Sequence, residues 1–242
     1  MKTHEPIFNV PGVVLALLAA LIAVHAARQL LSIEDSTWLL LALAFIPARY
    51  AGMAGDLPGG DVASVTSLVT HMFAHADIVH LGINAAWLLA FGSVLARRMG
   101  AARFLLFFLS SGVAGALLFL VMHPGLVAPV VGASGAIAGL MGGVMRFLFS
   151  ALDSGVGYRL REDPASIPLM DLKTALTDRR LLLASTVFVG VNLMAIIGFG
   201  TLGTVGAIAW EAHLGGYFFG LLAFGLFDPA PQQLQSYPPQ SE

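Results

Sequence analysis

Apolar residues in this chain come in long unbroken runs, not in the three-and-four spacing of a soluble amphipathic helix. From Phe104 to Met145 there is no Asp, Glu, Lys or Arg. A helix that crosses the hydrocarbon of a bilayer needs about 20 such residues. Six segments reach that length, at about 11–31, 78–96, 104–122, 131–149, 181–199 and 204–226. A seventh run, Trp38 to Ala48, is too short to cross and is stopped by Pro47 and Arg49. It is expected to lie along the interface or re-enter, within a long first loop that continues through Asp56, Pro58, Gly59, Gly60 and Asp61. The pattern predicts an all-α integral membrane protein of six transmembrane helices with a membrane-associated first external loop. The first run has the outline of a signal peptide around Val24-His25-Ala26, but Lys2 alone ahead of it favours a retained helix.

Composition agrees: hydrophobic residues make up 57% of the chain and charged residues 11%, against roughly 45–50% and 25% in soluble domains. All of the twelve Lys and Arg residues except Arg28 and Arg49 lie at the N-terminus, between runs two and three, or in and around the connection between runs four and five. Positive charge marks the cytoplasmic side, so both termini are expected there and the connection 123–131 faces outward. The division that follows is a cytoplasmic N-terminus at 1–10, a six-helix membrane domain at 11–227, and a Pro/Gln-rich disordered cytoplasmic tail at 228–242. The 150–180 segment reads as a loop with a short amphipathic helix. A net charge of −2 without a basic block argues against nucleic acid as a partner. The absence of cysteine removes disulfides, thiolate metal sites and a cysteine nucleophile together. No fixed-period repeat stands out, which weakens an inverted-repeat transporter reading.

Polar groups at bilayer depth are costly, which makes the few that occur informative. Ser134 sits in Val131-Gly132-Ala133-Ser134-Gly135-Ala136 at the outer end of run four. On its own it has a structural reading, because small residues let membrane helices approach and Gly135, Gly139 and Gly143 form such a stripe. His213 falls about nine residues into run six from the same side, roughly 13 Å along a helix. Gly216 and Gly220 follow it at i+3 and i+7, a face that could press on run four and carry His213 to Ser134. A third cluster, His71-x3-His75-x4-His80-x3-Asn84, opens run two. His80 and Asn84 share one helix face and both can donate hydrogen bonds. A zinc protease is disfavoured because Met72 stands where His-Glu-x-x-His requires glutamate, and His71 and His75 read better as structural groups bonding loop carbonyls.

Taken together, His71-x3-His75-x4-His80-x3-Asn84, Gly132-Ala133-Ser134-Gly135 and Ala212-His213-x2-Gly216-x3-Gly220 resemble the bacterial rhomboid family of intramembrane serine proteases. The similarity covers about residues 10–227. It implies Ser134 as nucleophile and His213 as general base in a dyad without a carboxylate. It also implies an oxyanion hole of His80, Asn84 and the Ser134 backbone N–H, and helix packing near the site at Gly132, Gly135, Gly216 and Gly220. Glu211, at i−2 from His213, does not complete a triad and suits a capping or interfacial place. The resemblance further implies transmembrane protein substrates in the bacterial inner membrane, with no cofactor and no metal. The alternative is a catalytically inactive relative that binds transmembrane helices without cutting. Two features depart from the pattern. Thr66 and Ser67 stand where some relatives carry a Trp-Arg pair in the first external loop, and Ala138 stands where an aromatic often stacks on the histidine.

Overall fold

The structure is a computed structural model and describes residues 10–194 and 209–229. It is helical throughout, with one isolated antiparallel bridge between Phe45 and Val130 among the described residues. Among the described residues four helices are long and apolar enough to cross a membrane: α1 (Gly12–Gln29), α4 (Ile78–Met99), α5 (Ala101–Met122) and α6 (Ser134–Asp153). The others of more than one turn and a half are α2 (Ile33–Leu43), α3 (Gly60–Thr70), α7 (Arg179–Met194) and α8 (Trp210–Phe227). Large apolar side chains point outward along the bundle, among them Ile22, Leu117, Val121, Val187 and Leu226. An exterior as apolar as the interior is what lipid requires and water would penalise.

Local chemistry sets several of the boundaries. Ser32 caps α2 by accepting the Asp35 N–H at 3.1 Å, with Glu34 and Asp35 at the positive end of the helix. Asp77 caps α4 by accepting the His80 N–H at 2.8 Å, so the turn that carries His80 and Asn84 starts from a fixed point. Midway, α4 takes one π-helical turn over Leu88–Gly92 before resuming α geometry.

The centre of the bundle is α6, 72% buried over its most apolar window against 28%, 33% and 44% for α1, α4 and α5. Helix α8 packs along it and along α5. Glycines make this possible. A Cβ on Gly216 would collide with the carbonyl of Gly135, one on Gly220 with that of Gly139, and one on Gly142 with that of Tyr217. Below this glycine seam, Phe104, Phe107, Phe108, Phe147 and Phe224 fill the core. At the end of the bundle opposite Ser134 the buried Arg98 pairs with Asp228 at 2.7 Å and donates to the carbonyls of Pro164 and Ile167. Asp228 stands at the start of the segment that sequence assigns to a tail; residues 230–242 of that segment lie outside the described residues.

Several expectations change in detail. The fourth run begins as a helix at Ser134, not 131, because Gly132 takes φ +112°. Gly132 therefore belongs to the loop before α6 and not to a helix-packing face. Helix α8 begins at Trp210, so His213 stands within its first turn and not nine residues in; positions 204–208 lie outside the described residues. The end of the fifth run at 195–199 and the connection near 200–204 also lie outside them. The first loop carries α2 and a further helix, α3, that sequence did not foresee. The 150–180 segment holds one-turn helices at Arg159–Glu162 and Leu172–Ala175.

Candidate active site

Ser134 is the first residue of α6, delivered by an extended stretch that is tied on both sides. The Phe45 N–H donates to the Val130 carbonyl at 3.0 Å and the Val130 N–H returns the bond at 2.8 Å. The Gly132 N–H then donates to the His71 carbonyl at 2.9 Å. Glycine at 132 has two reasons, the left-handed backbone and the ring of His80, whose Nε2 would stand 2.6 Å from any Cβ there. Because Ser134 opens the helix, its N–H and those of Gly135 and Ala136 have no carbonyl one turn back to bond. Partial positive charge therefore collects beside the Ser134 hydroxyl.

His213 reaches the same point from α8. The glycine seam draws α8 onto α6, and His213 Nε2 lies 2.7 Å from Ser134 Oγ, a full hydrogen bond without substrate. The other ring nitrogen, Nδ1, lies 2.7 Å from Asn192 Oδ1 on α7. Asn192 is buried, and its Nδ2 donates to the Phe188 carbonyl at 2.9 Å. Sequence reasoning missed this residue, although an amide in Val191-Asn192-Leu193-Met194 carries the same signal of polarity at bilayer depth as Asn84. Ala138, where a stacking aromatic was sought, is packed with Tyr217 and Leu221 and offers His213 no ring.

The remaining residues divide. The His80 ring lies over Gly132 and edge-on to His75, with centroids 5.1 Å apart. Asn84 is buried, and its Nδ2 donates to the His80 carbonyl at 2.9 Å, which holds the amide against the turn that carries His80. His71 Nδ1 donates to the Ser67 carbonyl at 2.8 Å, and His75 Nε2 accepts a long bond of 3.5 Å from the Ala133 N–H. Both rings thus bond the backbone that frames the site. Burial depresses the imidazole of His71 to about 4 and that of His75 to about 3, the latter with help from His80, so both are neutral near pH 7. Glu211 is buried and accepts from His123 Nε2 at 2.5 Å, pinning the start of α8 to the end of α5. Among the described residues no three His, Asp or Glu side chains stand together as metal ligands.

The loop between α1 and α4 is held by arginines. Arg49, buried, donates through Nη2 to the carbonyls of Leu41 and Pro58, both at 2.8 Å. Arg28, at the end of α1, donates through Nη1 to the His75 carbonyl at 2.6 Å. These are the two cations that the charge count placed on the outer side. They serve as internal ties to loop carbonyls.

Comparison with known proteins adds a second line. The Rhomboid domain family matches residues 62–228. Rhomboid protein 1, mitochondrial, of Saccharomyces cerevisiae is 38% identical over 86 residues, 34% of this chain and 25% of that protein. Rhomboid protease GluP of Bacillus subtilis is 31% identical over 166 residues, 66% of this chain and 26% of its own length. YdcA of the same organism is 35% identical over 118 residues, 47% of this chain and 57% of that one. The chain therefore spans about a quarter of the first two relatives and just over half of the third.

Proposed function

We propose that this chain, which belongs to the rhomboid family, is an intramembrane serine endopeptidase that cleaves transmembrane helices of other membrane proteins. The observation that carries the reading is the 2.7 Å bond between His213 Nε2 and Ser134 Oγ at the N-terminus of α6. In the reaction, His213 Nε2 takes the hydroxyl proton as Ser134 Oγ adds to the scissile carbonyl. The carbonyl oxygen becomes an oxyanion beside the Ser134 N–H, with His80 and Asn84 as further donors. His213 then gives the proton to the leaving amine, and a water activated by the same imidazole releases the acyl group and regenerates Ser134. A substrate helix hides its carbonyls, so it must unwind near the cleaved bond. Small residues at that bond and helix-weakening residues below it suit this requirement.

In this reading α7 and α8 are the fifth and sixth spans and 11–227 is one membrane domain. Glu211 and His213 lower the mean hydropathy of α8 at its outer end, while Leu222 and Leu226 face outward as lipid-contacting residues do. The cation distribution supports both termini on the cytoplasmic side of a bacterial inner membrane. The test is a fluorophosphonate probe on purified protein beside cleavage of a reconstituted single-span substrate. Labelling and cleavage that both vanish in Ser134→Ala and His213→Ala support the assignment. A parent protein that neither reacts nor cuts supports the helix-binding alternative.

A further inference from the structure

We propose that Asn192 is a positioning residue, which locks His213 in the one tautomer and ring orientation that can serve Ser134. This rests on the protease reading for its purpose, but on the geometry alone for its substance. The amide of Asn192 has one orientation that satisfies both neighbours. Its Nδ2 donates to the Phe188 carbonyl at 2.9 Å, which leaves Oδ1 facing His213 Nδ1 at 2.7 Å. Turned over, the amide would set its oxygen against the Phe188 carbonyl oxygen. An acceptor at Asn192 Oδ1 fixes the proton on Nδ1. The lone pair is then on Nε2, at 2.7 Å from the Ser134 hydroxyl that it must deprotonate.

Among the described residues no other group takes this task. Ala138 presents a methyl group where an aromatic ring could have stacked, and Glu211 is taken up by His123. Without Asn192 the imidazole can carry its proton on Nε2, where it faces Ser134 Oγ as a donor and is useless as a base. The amide is neutral, so it orients the ring without placing a charge in the bilayer.

Asn192 in turn is placed by the face that α7 turns to α8. Ser185 Oγ lies 2.7 Å from Tyr217 Oη, and Phe188 stacks on the Tyr217 ring with centroids 4.4 Å apart. Ser185, Phe188 and Asn192 recur at i, i+3 and i+7 along one stripe. The three contacts dock α7, and the last of them reaches the catalytic base.

The test uses the full chain in detergent, with a reconstituted single-span substrate carrying Ala-Gly at its outer end. Turnover is counted per enzyme labelled by fluorophosphonate, and the protonated nitrogen of His213 is read from 15N-imidazole NMR. Asn192→Ala should lower kcat about tenfold at unchanged KM, the rate equivalent of one neutral hydrogen bond, and should mix the two tautomers. Asn192→Asp, which keeps an acceptor at the same place, should recover kcat to within about threefold of the parent. Ser185→Ala breaks the other polar contact between α7 and α8; it should lower the melting temperature yet keep kcat within about twofold. The proposal is overturned if Asn192→Ala keeps both kcat and the Nδ1 proton, or if Ser185→Ala loses as much kcat as Asn192→Ala. A parent that shows the Nδ1 proton, loses it in Asn192→Ala, and yet cuts nothing supports the positioning contact and removes the protease reading instead.

Discussion

Replacing Gly220 by alanine adds one methyl group where the backbones of α6 and α8 touch. The new Cβ would stand 2.7 Å from the carbonyl carbon of Gly139 and 2.8 Å from its Cα. Carbon atoms pack at about 3.5–4.0 Å, so the helices must part by about 1 Å, since no flexible side chain can yield. Overpacking of this kind costs about 1–3 kcal/mol. The functional cost is larger. Gly220 and His213 lie seven residues apart on the same helix, and the separation is transmitted to a Ser134–His213 bond of 2.7 Å. A displacement of about 1 Å takes that pair out of hydrogen-bond range and costs on the order of 10²-fold in turnover. The assay is kcat per probe-labelled enzyme beside thermal melting in the same detergent. Gly190→Ala on α7 is the control: a Cβ there meets nothing within 4 Å, and helix propensity gains up to about 1 kcal/mol. A Gly220→Ala protein with the parent's turnover and melting temperature would refute the backbone-contact argument.

Ser134→Ala should abolish hydrolysis and probe labelling while melting remains cooperative, because it removes one hydroxyl and no packing. Asn84→Ala should lower kcat about 10²-fold with KM unchanged if its amide meets the oxyanion; a change within about threefold, together with a lower melting temperature, would assign it to holding the turn of His80. Arg49→Ala leaves the carbonyls of Leu41 and Pro58 unpaired at about 1–3 kcal/mol each, so limited proteolysis should cut the loop between α1 and α4 sooner than in the parent. Burial holds the His71 imidazole near pKa 4 against 6.5 when unfolded. A depressed histidine adds stability that is complete above pH 6.5 and is lost as pH falls from 6.5 towards 4. Melting temperature should therefore drop across that window, and His71→Asn should flatten the drop.

What sequence made legible here was whatever bilayer physics penalises. Ser134, His213, His80 and Asn84 stood out as hydrogen-bonding groups stranded among apolar residues, and the runs themselves outlined α1, α4, α5 and α6 to within a few positions. Asn192 obeyed the same rule and was passed over, because no spacing linked it to another polar group along the chain; its partner lies 21 residues away and on another helix. Helix α3 was hidden by its composition. Gly-Asp-Val-Ala-Ser-Val-Thr-Ser-Leu-Val-Thr is rich in β-branched residues and opens on the second of two glycines, which reads locally as loop. Arg28 and Arg49 show another limit of pattern. Counting them as outer-side charge was sound arithmetic, but their partners are backbone carbonyls, which no sequence displays. Gly132 is constrained by its φ and by the His80 ring above it, and neither is visible in a pattern of small residues.

The clasp between Arg98 and Asp228 has a consequence for the order in which the protein is made. The two residues are 130 positions apart, and the same guanidinium also holds the carbonyls of Pro164 and Ile167. A ribosome working from the N-terminus supplies Arg98 first, the 164–167 turn next, and the carboxylate last of all. Until Asp228 emerges, a cation destined for the interior has no counter-charge and is better left in the headgroup water than drawn inward. Final closure of this end of the bundle is thereby deferred until translation has passed α8, the helix that carries His213. A nascent chain stalled before residue 228 would hold every transmembrane candidate helix and still lack the clasp.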